Sequence, residues 1–169
     1  MTDGGTAALQ RQVDALTARV RELEDRQAIT QLIASYGPAV DSMSAGVIAE
    51  QFAADGVYDA GGSDPYIGRE AVAGLIHGDM HQGFVHAGCA HVLSLPVIDL
   101  DGDRATAVNH LRVYLHEGQG WRLARVSANR WRLRRRDGRW EVELRTNRLL
   151  DGDPAARALL VREQGSAGA

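Results

Sequence analysis

The spacing of apolar residues divides the chain into a helical first half and an extended second half. At the start, apolar residues recur four and three positions apart, which is typical of a heptad seam, at Leu9, Val13, Leu16, Val20 and Leu23. We therefore predict that residues 1–22 form a helical arm. The favoured interpretation is a coiled coil between subunits, and the alternative is an extension of the first helix lying on its own domain.

Helical spacing continues beyond the arm. In "EDRQAITQLIASY" the apolar positions broaden into a core-facing stripe, and Gly37-Pro38 is predicted to kink or interrupt this helix. A second helix is predicted in "AVDSMSAGVIAEQFAADG", ending near Asp55-Gly56, followed by a short strand in "VYDAGG". The segment "YIGREAVAGLIHGDMH" predicts a third helix.

From His91 onward the period becomes two, which predicts strands. Asp101-Gly102 and Asp137-Gly138 indicate tight hairpin turns. Four long antiparallel strands are predicted in "HVLSLPVIDL", "RATAVNHLRVYLHE", "WRLARVSANRWRLRRR" and "RWEVELRTNRLL". A helix from Pro154 to Glu163 and a flexible "GSAGA" tail would close the chain.

This order of elements predicts an α+β fold. Helices would pack on one face of a long, curved antiparallel sheet, which forms a cone with an internal pocket. We assign residues 23–151 to this domain, between the arm and a C-terminal region of residues 152–169.

Composition removes several classes of partner and chemistry. The net charge is -3 and the pI is near 6.0, so no nucleic acid or anionic membrane surface is expected as a partner. All nineteen basic residues are arginine, which excludes a lysine Schiff base and a P-loop lysine. The run of arginines between residues 130 and 139 is interpreted as a solvated or intersubunit face offset by Glu141 and Glu143.

Other sequence features bear on the location of the protein and on metal binding. Cys89 is interpreted as a small buried hydrophobe, and the chain has neither a secretory signal nor a membrane-length apolar run, so we predict a cytoplasmic protein. His77 and His81 have a spacing that can hold a metal, but no third ligand is evident and "HGDMHQ" is interpreted as an exposed helix end, so no metal is predicted.

The candidate chemistry lies on the predicted sheet. In "NHLRVYLH" the side chains of Leu111, Val113 and Leu115 share one face, and those of His110, Arg112, Tyr114 and His116 share the other. We predict that the polar face lines the pocket with His91, Ser127 and Asn129 from the neighbouring strands, and that His86 lies near its mouth. Asp41 could reach the same pocket, where a carboxylate would orient an imidazole and strengthen it as a base.

Six segments in order resemble the SnoaL-like branch of the nuclear transport factor 2-like (NTF2-like) superfamily. They are "LIASYGPAVDS", "FAADGVYD", "GREAV", "DLDGDRA", "SANRWRL" and "RRDGRWEV", and the resemblance extends from Leu23 to Asp151. Their spacing is similar to that of scytalone dehydratase and of bile-acid dehydratases. The resemblance implies a cone-shaped NTF2-like fold, a cofactor-free elimination of water and a homo-oligomer, with a trimer favoured.

The resemblance also implies site residues. The dehydratase's aspartate falls on Asp41, its histidines on His91 and His116, and its substrate-holding serine and asparagine on Ser127 and Asn129. Its two tyrosines fall instead on Val40 and Ala60, so the candidates to polarise a carbonyl are Tyr36, Tyr58 and Tyr114. Tyr36 is assigned because bile-acid dehydratases place a tyrosine similarly before the aspartate, which requires a bend at Gly37-Pro38.

We therefore predict a cofactor-independent dehydratase acting on a small hydroxylated carbonyl compound, polyketide-like or steroid-like. Asp41 would orient His116 as the acid/base, and His91 would act at the leaving group or enolate. His110, His86, Tyr58 and Tyr114 would contact substrate. The alternatives are an isomerase or cyclase of the ketosteroid isomerase or polyketide cyclase type, and a noncatalytic NTF2-like subunit. Valine alternating with leucine in the arm favours two strands, so a dimer is also possible.

Overall fold

The structure, a computed structural model, describes residues 3–62 and 64–161, with side chains from residue 5 onward. The helices are α1 (Asp3–Asp41), α2 (Ala45–Gln51), α3 (Arg69–Gly74), α4 (Asp79–Ala87) and α5 (Pro154–Ala158), with a 3-10 turn at Leu75–His77. The strands are β1 (Phe52–Asp59), β2 (Tyr66–Ile67), β3 (Cys89–Leu93), β4 (Val97–Asp101), β5 (Arg104–Glu117), β6 (Gly120–Arg136) and β7 (Arg139–Leu149). The last helix ends at Ala158, earlier than the predicted end at Glu163, and the "GSAGA" tail lies outside the described residues.

Helix α1 continues through Pro38, so the predicted interruption is wrong. Proline costs the helix one hydrogen bond, to the carbonyl of Ala34, and both Ala34 and Pro38 lie on the exposed side where water can replace it. The helix ends three residues later at Asp41, and Met43 then adopts a left-handed backbone with φ of 57°. Tyr36 and Asp41 therefore sit on one unbroken helix.

Three other boundaries differ from the predicted ones. Strand β1 begins at Phe52, inside the predicted second helix, because this segment pairs parallel with β7. The predicted third helix is divided into β2, α3, the 3-10 turn and α4. The predicted first long strand is split into β3 and β4, since Pro96 between them cannot donate a ladder hydrogen bond.

The sheet has seven strands in the order β2-β1-β7-β6-β5-β3, with β4 pairing with β5. All pairs are antiparallel except β1 with β7. The hairpins at Asp101-Gly102 and Asp137-Gly138 form as predicted, and both residues of the second turn have positive φ, as a two-residue hairpin requires. The α+β cone is confirmed, with one parallel pair added to its sheet.

The core lies between α1 and the inner face of the sheet. One stripe of α1 is buried at Ile29, Ile33, Tyr36 and Val40, and it packs with sheet residues that include Trp131, Leu133 and Val142. Among the described helices, none combines the length and apolar character needed to cross a bilayer. At one end of the sheet the core gives way to a cavity.

Candidate active site

A cavity of about 500 Å³ lies between α1, the α3–α4 region and the inner face of the sheet. Its lining is mainly apolar and aromatic, and includes Tyr66, Leu75, Met80, Phe84, Leu111 and Val113. Polar side chains are few, namely two histidines, Asp79, Arg125, Asn147 and the tyrosine hydroxyls. A concave, mostly apolar surface with a few convergent polar groups is typical of a small-molecule site.

Asp41 and His91 form a hydrogen-bonded pair at this cavity. The Asp41 Oδ1 lies 2.6 Å from His91 Nδ1, and Oδ2 accepts the backbone N–H of His91 at 2.8 Å. Burial alone would raise the pKa of Asp41, but the hydrogen bonds from the ring and backbone of His91 outweigh it and lower the pKa below the usual 3.8. Because the carboxylate accepts, Nδ1 carries the proton and Nε2 keeps a free lone pair. This is the arrangement of a general base.

Gly37 explains how the helix brings Asp41 to the strand. A Cβ at this position would lie 2.2 Å from the carbonyl oxygen of His91, so only glycine permits so close an approach of α1 to β3. The carboxylate one turn further along the helix then meets both donors of His91.

The thiol of Cys89 also contacts Asp41. It lies 3.5 Å from the same Oδ1 of Asp41, and burial, together with the charge of Asp41, raises the pKa of the thiol to about 11. Donor atoms of Asp41, Cys89 and His91 all lie within 4.8 Å of one another, which by distance alone meets the requirement for ligands of one metal ion. However, the 2.6 Å contact between Nδ1 and Oδ1 is that of a hydrogen bond, and it is too short for both atoms to ligate one ion at about 2 Å in tetrahedral geometry. The geometry favours proton transfer.

A second imidazole, His81, lies beside the pair. Its ring is buried on α4, with its centroid 5.7 Å from that of His91, and Nε2 is 2.9 Å from the carbonyl oxygen of Val40. A carbonyl only accepts, so Nε2 carries the proton and Nδ1 has the lone pair. The sequence analysis placed His81 at an exposed helix end, which is wrong for His81 and right for His77. A signal was present in the spacing of His81 and Phe84, which share a helical face.

Polar side chains from β6 and β7 form a buried network on the inner face of the sheet. Asn129 Oδ1 accepts from Arg145 Nε at 3.1 Å, Arg145 Nη2 at 3.0 Å and Asn147 Nδ2 at 2.9 Å. Arg125 donates to Ser127 Oγ at 2.8 Å and to Asn147 Oδ1 at 2.7 Å. The network fixes Arg125 and Asn147 in the cavity wall, while Ser127 and Asn129 lie behind it.

Arg145 is fully buried beneath three aromatic rings. Its guanidinium carbon lies 3.9 Å from the ring centroid of Tyr36, 4.6 Å from that of Tyr58 and 4.4 Å from that of Trp131. Among the described residues no carboxylate pairs with it, and its Nη1 has no hydrogen-bond partner. Burial raises the pKa of Tyr36 to about 12, although the charge of Arg145 acts in the opposite direction. Tyr36 is therefore a protonated phenol at neutral pH, held over a fixed positive charge.

The structure brings together only part of the predicted site. Tyr36, Tyr58 and His91 line the cavity, and Asp41 contacts it through His91. The remaining predicted residues on β5 and at the mouth do not line it, namely His86, His110, Tyr114 and His116.

His116 requires the clearest correction. It is exposed, and its ring packs against Trp121 at 5.3 Å between centroids, while Asp41 is hydrogen-bonded to His91 instead. The predicted alternation of β5 is right, but the faces were assigned the wrong way round. Leu111 and Val113 face the cavity, so His110, Tyr114 and His116 belong to the opposite face.

Sequence reasoning missed the buried residues of β7. Arg145 and Asn147 are 0% and 1% exposed, although their segment "RTNRLL" contains mostly polar letters. The available signal was the continuation of the alternation from Trp140 and Val142, shifted by the bulge opposite Arg132 and Leu133. His81, Arg145 and Asn147 are thus the main additions to the candidate site.

This chain combines a curved mixed sheet with helices that close over a mainly apolar cavity containing a few polar side chains. These features define a class of small cone-shaped α+β domains. Residues 21–146 match the SnoaL-like domain family, and the chain belongs to this family. Its structure is similar to that of an NTF2-like protein with a cystatin-like fold from Novosphingobium aromaticivorans, with 44% identity, a TM-score of 0.85, and coverage of 87% of this chain and 96% of the other.

Two more distant structures share the fold. A hexachlorocyclohexane dehydrochlorinase, LinA-type3 from Novosphingobium barchaimii, has 21% identity and a TM-score of 0.68, over 78% of this chain and 90% of the other. A Mycobacterium tuberculosis protein of unknown function has 24% identity and a TM-score of 0.69, over 80% of this chain and 78% of the other. No curated protein matches the sequence.

Proposed function

We propose that this protein is a cofactor-independent lyase that removes water from a small hydroxylated carbonyl compound. The observation that carries the proposal is the 2.6 Å contact between Asp41 and His91, which leaves His91 Nε2 as an oriented base beside the cavity. The role of base moves from His116 to His91, because His91 is the imidazole that the carboxylate orients.

In the proposed reaction, His91 Nε2 takes the proton from the carbon next to the carbonyl, and the C–H electron pair forms an enolate. Asp41 stabilises the resulting imidazolium. Collapse of the enolate expels the β-hydroxyl group, which takes the proton back from His91 and leaves as water. The enzyme returns to its starting protonation state, and no other reactant is consumed.

Tyr36 is suited to hold the developing enolate oxygen. Its O–H is protonated at neutral pH, and the Arg145 cation beneath its ring makes the hydroxyl a better donor. His81 would accept a hydrogen bond from a substrate hydroxyl at Nδ1, next to His91. Arg125 and Asn147 offer donors at the sheet side of the cavity.

The substrate class follows from the lining. A cavity of about 500 Å³ walled by tyrosine, phenylalanine, leucine and valine fits a compact, mostly apolar ring compound, as a polyketide-like or steroid-like substrate would be. A dehydrochlorinase with the same fold catalyses, by its name, a related elimination. A cytoplasmic location and the absence of nucleic-acid and membrane partners stay predictions.

An isomerase or cyclase would use the same first step, since only the fate of the enolate differs. The two outcomes are separable by mass. Incubating the protein with a panel of ring β-hydroxy ketones should give products lighter by one water, and an unchanged mass with a moved double bond or a new ring would assign the alternative. Exchange of the α-hydrogen in deuterium oxide, followed by NMR, would detect the shared proton abstraction.

The decisive variants are His91→Gln and Asp41→Asn. We expect each to lower kcat/KM by about 10²- to 10⁴-fold, because general base catalysis contributes on that order. His116→Gln is the matched control and should retain turnover close to the parent, as His116 lies outside the cavity. Near-normal turnover in either dyad variant would contradict the proposal, and so would a loss in the control as large as in the dyad variants.

A further inference from the structure

The first part of α1 projects from the domain. From residue 5 to residue 24 the side chains are exposed, apart from half-buried Ala8, and the first buried side chain is Asp25. Arg26 then donates to the carbonyl of Ile98, which marks where the helix docks on the sheet. At 1.5 Å per residue the projecting part is about 30 Å long. It also precedes most of the region that matches the SnoaL-like family, residues 21–146.

This arm carries a row of uncovered apolar side chains. Their exposed fractions lie between 47% and 66%, at Leu9, Val13, Leu16, Val20 and Leu23. The row stops where the helix docks, since the next positions of the same repeat are Gln27, half-buried Thr30 and Ala34, and none of these is a large apolar residue. A continuous apolar row of this kind indicates a contact surface.

The row cannot be covered by the domain of the same chain. At about 100° per residue, its centre lies about 150° around α1 from the stripe formed by Ile29, Ile33, Tyr36 and Val40, which packs on the sheet. Because α1 is one continuous helix through both stretches, the arm cannot turn its apolar row inward. Nothing in the described part of this chain covers the row, which points to another chain.

We infer that this cover is the arm of a second copy, joined in a parallel, in-register, two-stranded coiled coil. Leu9, Leu16 and Leu23 occupy the d positions and Val13 and Val20 the a positions, the combination that favours two strands in a parallel coiled coil. The docked half of α1 already fixes the helix, so the arm elongates an existing helix and avoids the cost of nucleation.

Charge supports the same register. In a parallel pair the g position of one helix meets the next e position of its partner, which sets Arg19 opposite Glu24 in both directions. Within the part of the chain that the structure describes, neither residue makes an ion pair, so both are available. An antiparallel pair sets g against g, and Arg19 would not meet Glu24.

The first test is the mass of the full chain in solution, by sedimentation equilibrium. We expect a dimer for the parent and for Ala18→Glu, which changes the outer side of the arm, and at least a hundredfold weaker association for Leu16→Glu. Near-UV circular dichroism of Leu16→Glu should match the parent, which shows that the domain is folded. A monomeric or trimeric parent, or equal association of the two variants, would overturn the inference.

The second test fixes orientation. Leu9→Cys and tagged Val20→Cys chains are mixed, refolded together and mildly oxidised. In a parallel pair, disulfides form only between two chains that carry the same substitution, because positions 9 and 20 are about 16 Å apart along the axis. Disulfides between the two kinds would show an antiparallel pair and overturn the assignment. The unsubstituted chain is the control, since its Cys89 is half-buried.

Charge reversal gives an independent check of register. Arg19→Glu alone and Glu24→Arg alone each place like charges opposite one another, and each should weaken association about fivefold at low salt. The double variant should recover the affinity of the parent. A double variant as weak as the sum of the two single variants would contradict the predicted pairing.

Discussion

At the scale of single residues, Asp41 links the candidate chemistry to stability. Its pKa is lowered by hydrogen bonds that the unfolded chain lacks, so its contribution to stability is complete above its usual pKa of 3.8 and is lost as the pH falls through the folded value. We expect Asp41→Asn to lower the free energy of unfolding at pH 7 and to have progressively less effect below pH 3.8. Urea unfolding across this range measures the difference. Asp14→Asn, on the exposed arm, is the control, and an Asp41→Asn effect independent of pH would contradict the prediction.

Cys89 gives a second residue-scale prediction. Burial and the charge of Asp41 raise the pKa of the thiol to about 11, and only the thiolate is nucleophilic. Iodoacetamide at pH 8 should therefore label Cys89 at least a hundredfold more slowly than a free thiol, as followed by mass spectrometry. Asp41→Asn removes one of the causes and should speed labelling. An equal rate in parent and variant would show that the carboxylate does not act on the thiol.

Sequence alone could assign some of these residues and not others. Asp41, His91, Ser127 and Asn129 were found because their positions match a family pattern, and all four lie at or directly behind the cavity. His116 was misplaced because alternation separates two faces of a strand without saying which one is enclosed. Here the inner face is the apolar one, since it must also form the core. Arg145 was missed because its segment is mostly polar and because the bulge opposite Arg132 and Leu133 shifts the alternation that marks it as inward-facing.

At the scale of elements, the close approach of α1 to β3 depends on Gly37. Gly37→Ala would place a Cβ 2.2 Å from the carbonyl oxygen of His91, so the helix must move away from the strand. We expect a loss of stability of about 1–3 kcal/mol, as for other overpacked sites, and a loss of turnover as the Asp41–His91 contact lengthens. Denaturant unfolding and kcat/KM report the two effects.

Gly46→Ala is the matched control. Gly46 lies in α2 with nothing within 4 Å of an added Cβ, so the substitution should be neutral or stabilising by up to about 1 kcal/mol. If Gly37→Ala behaved in the same way, the proposed role of the close contact would be wrong.

The elements that sequence predicted well are those set by local chemistry. The Asp-Gly hairpins and the long strands β5, β6 and β7 follow from period and turn residues. The start of β1 at Phe52 does not, because its pairing with β7 is a contact between distant parts of the chain that overrides a helical pattern. Helix α1 continues through Pro38 because water can donate a hydrogen bond to the carbonyl of Ala34, which proline leaves without an N–H partner.

At the scale of the whole molecule, pairing of the arms makes thermal stability depend on concentration. Association stabilises the folded chain by mass action, so the Tm of the parent should rise across a hundredfold increase in protein concentration. Leu16→Glu should show a Tm that does not change with concentration. Differential scanning calorimetry at several concentrations checks this, and an invariant Tm in the parent would contradict the inferred pairing.

The unbroken course of α1 has a practical consequence. Residue 5 lies at the outer end of a rod whose other end carries Asp41, so the two are separated by about 50 Å. A surface, bead or fluorophore attached at that outer end stands well clear of the cavity mouth. The protein can therefore be tethered there and still be offered ligands from bulk solution.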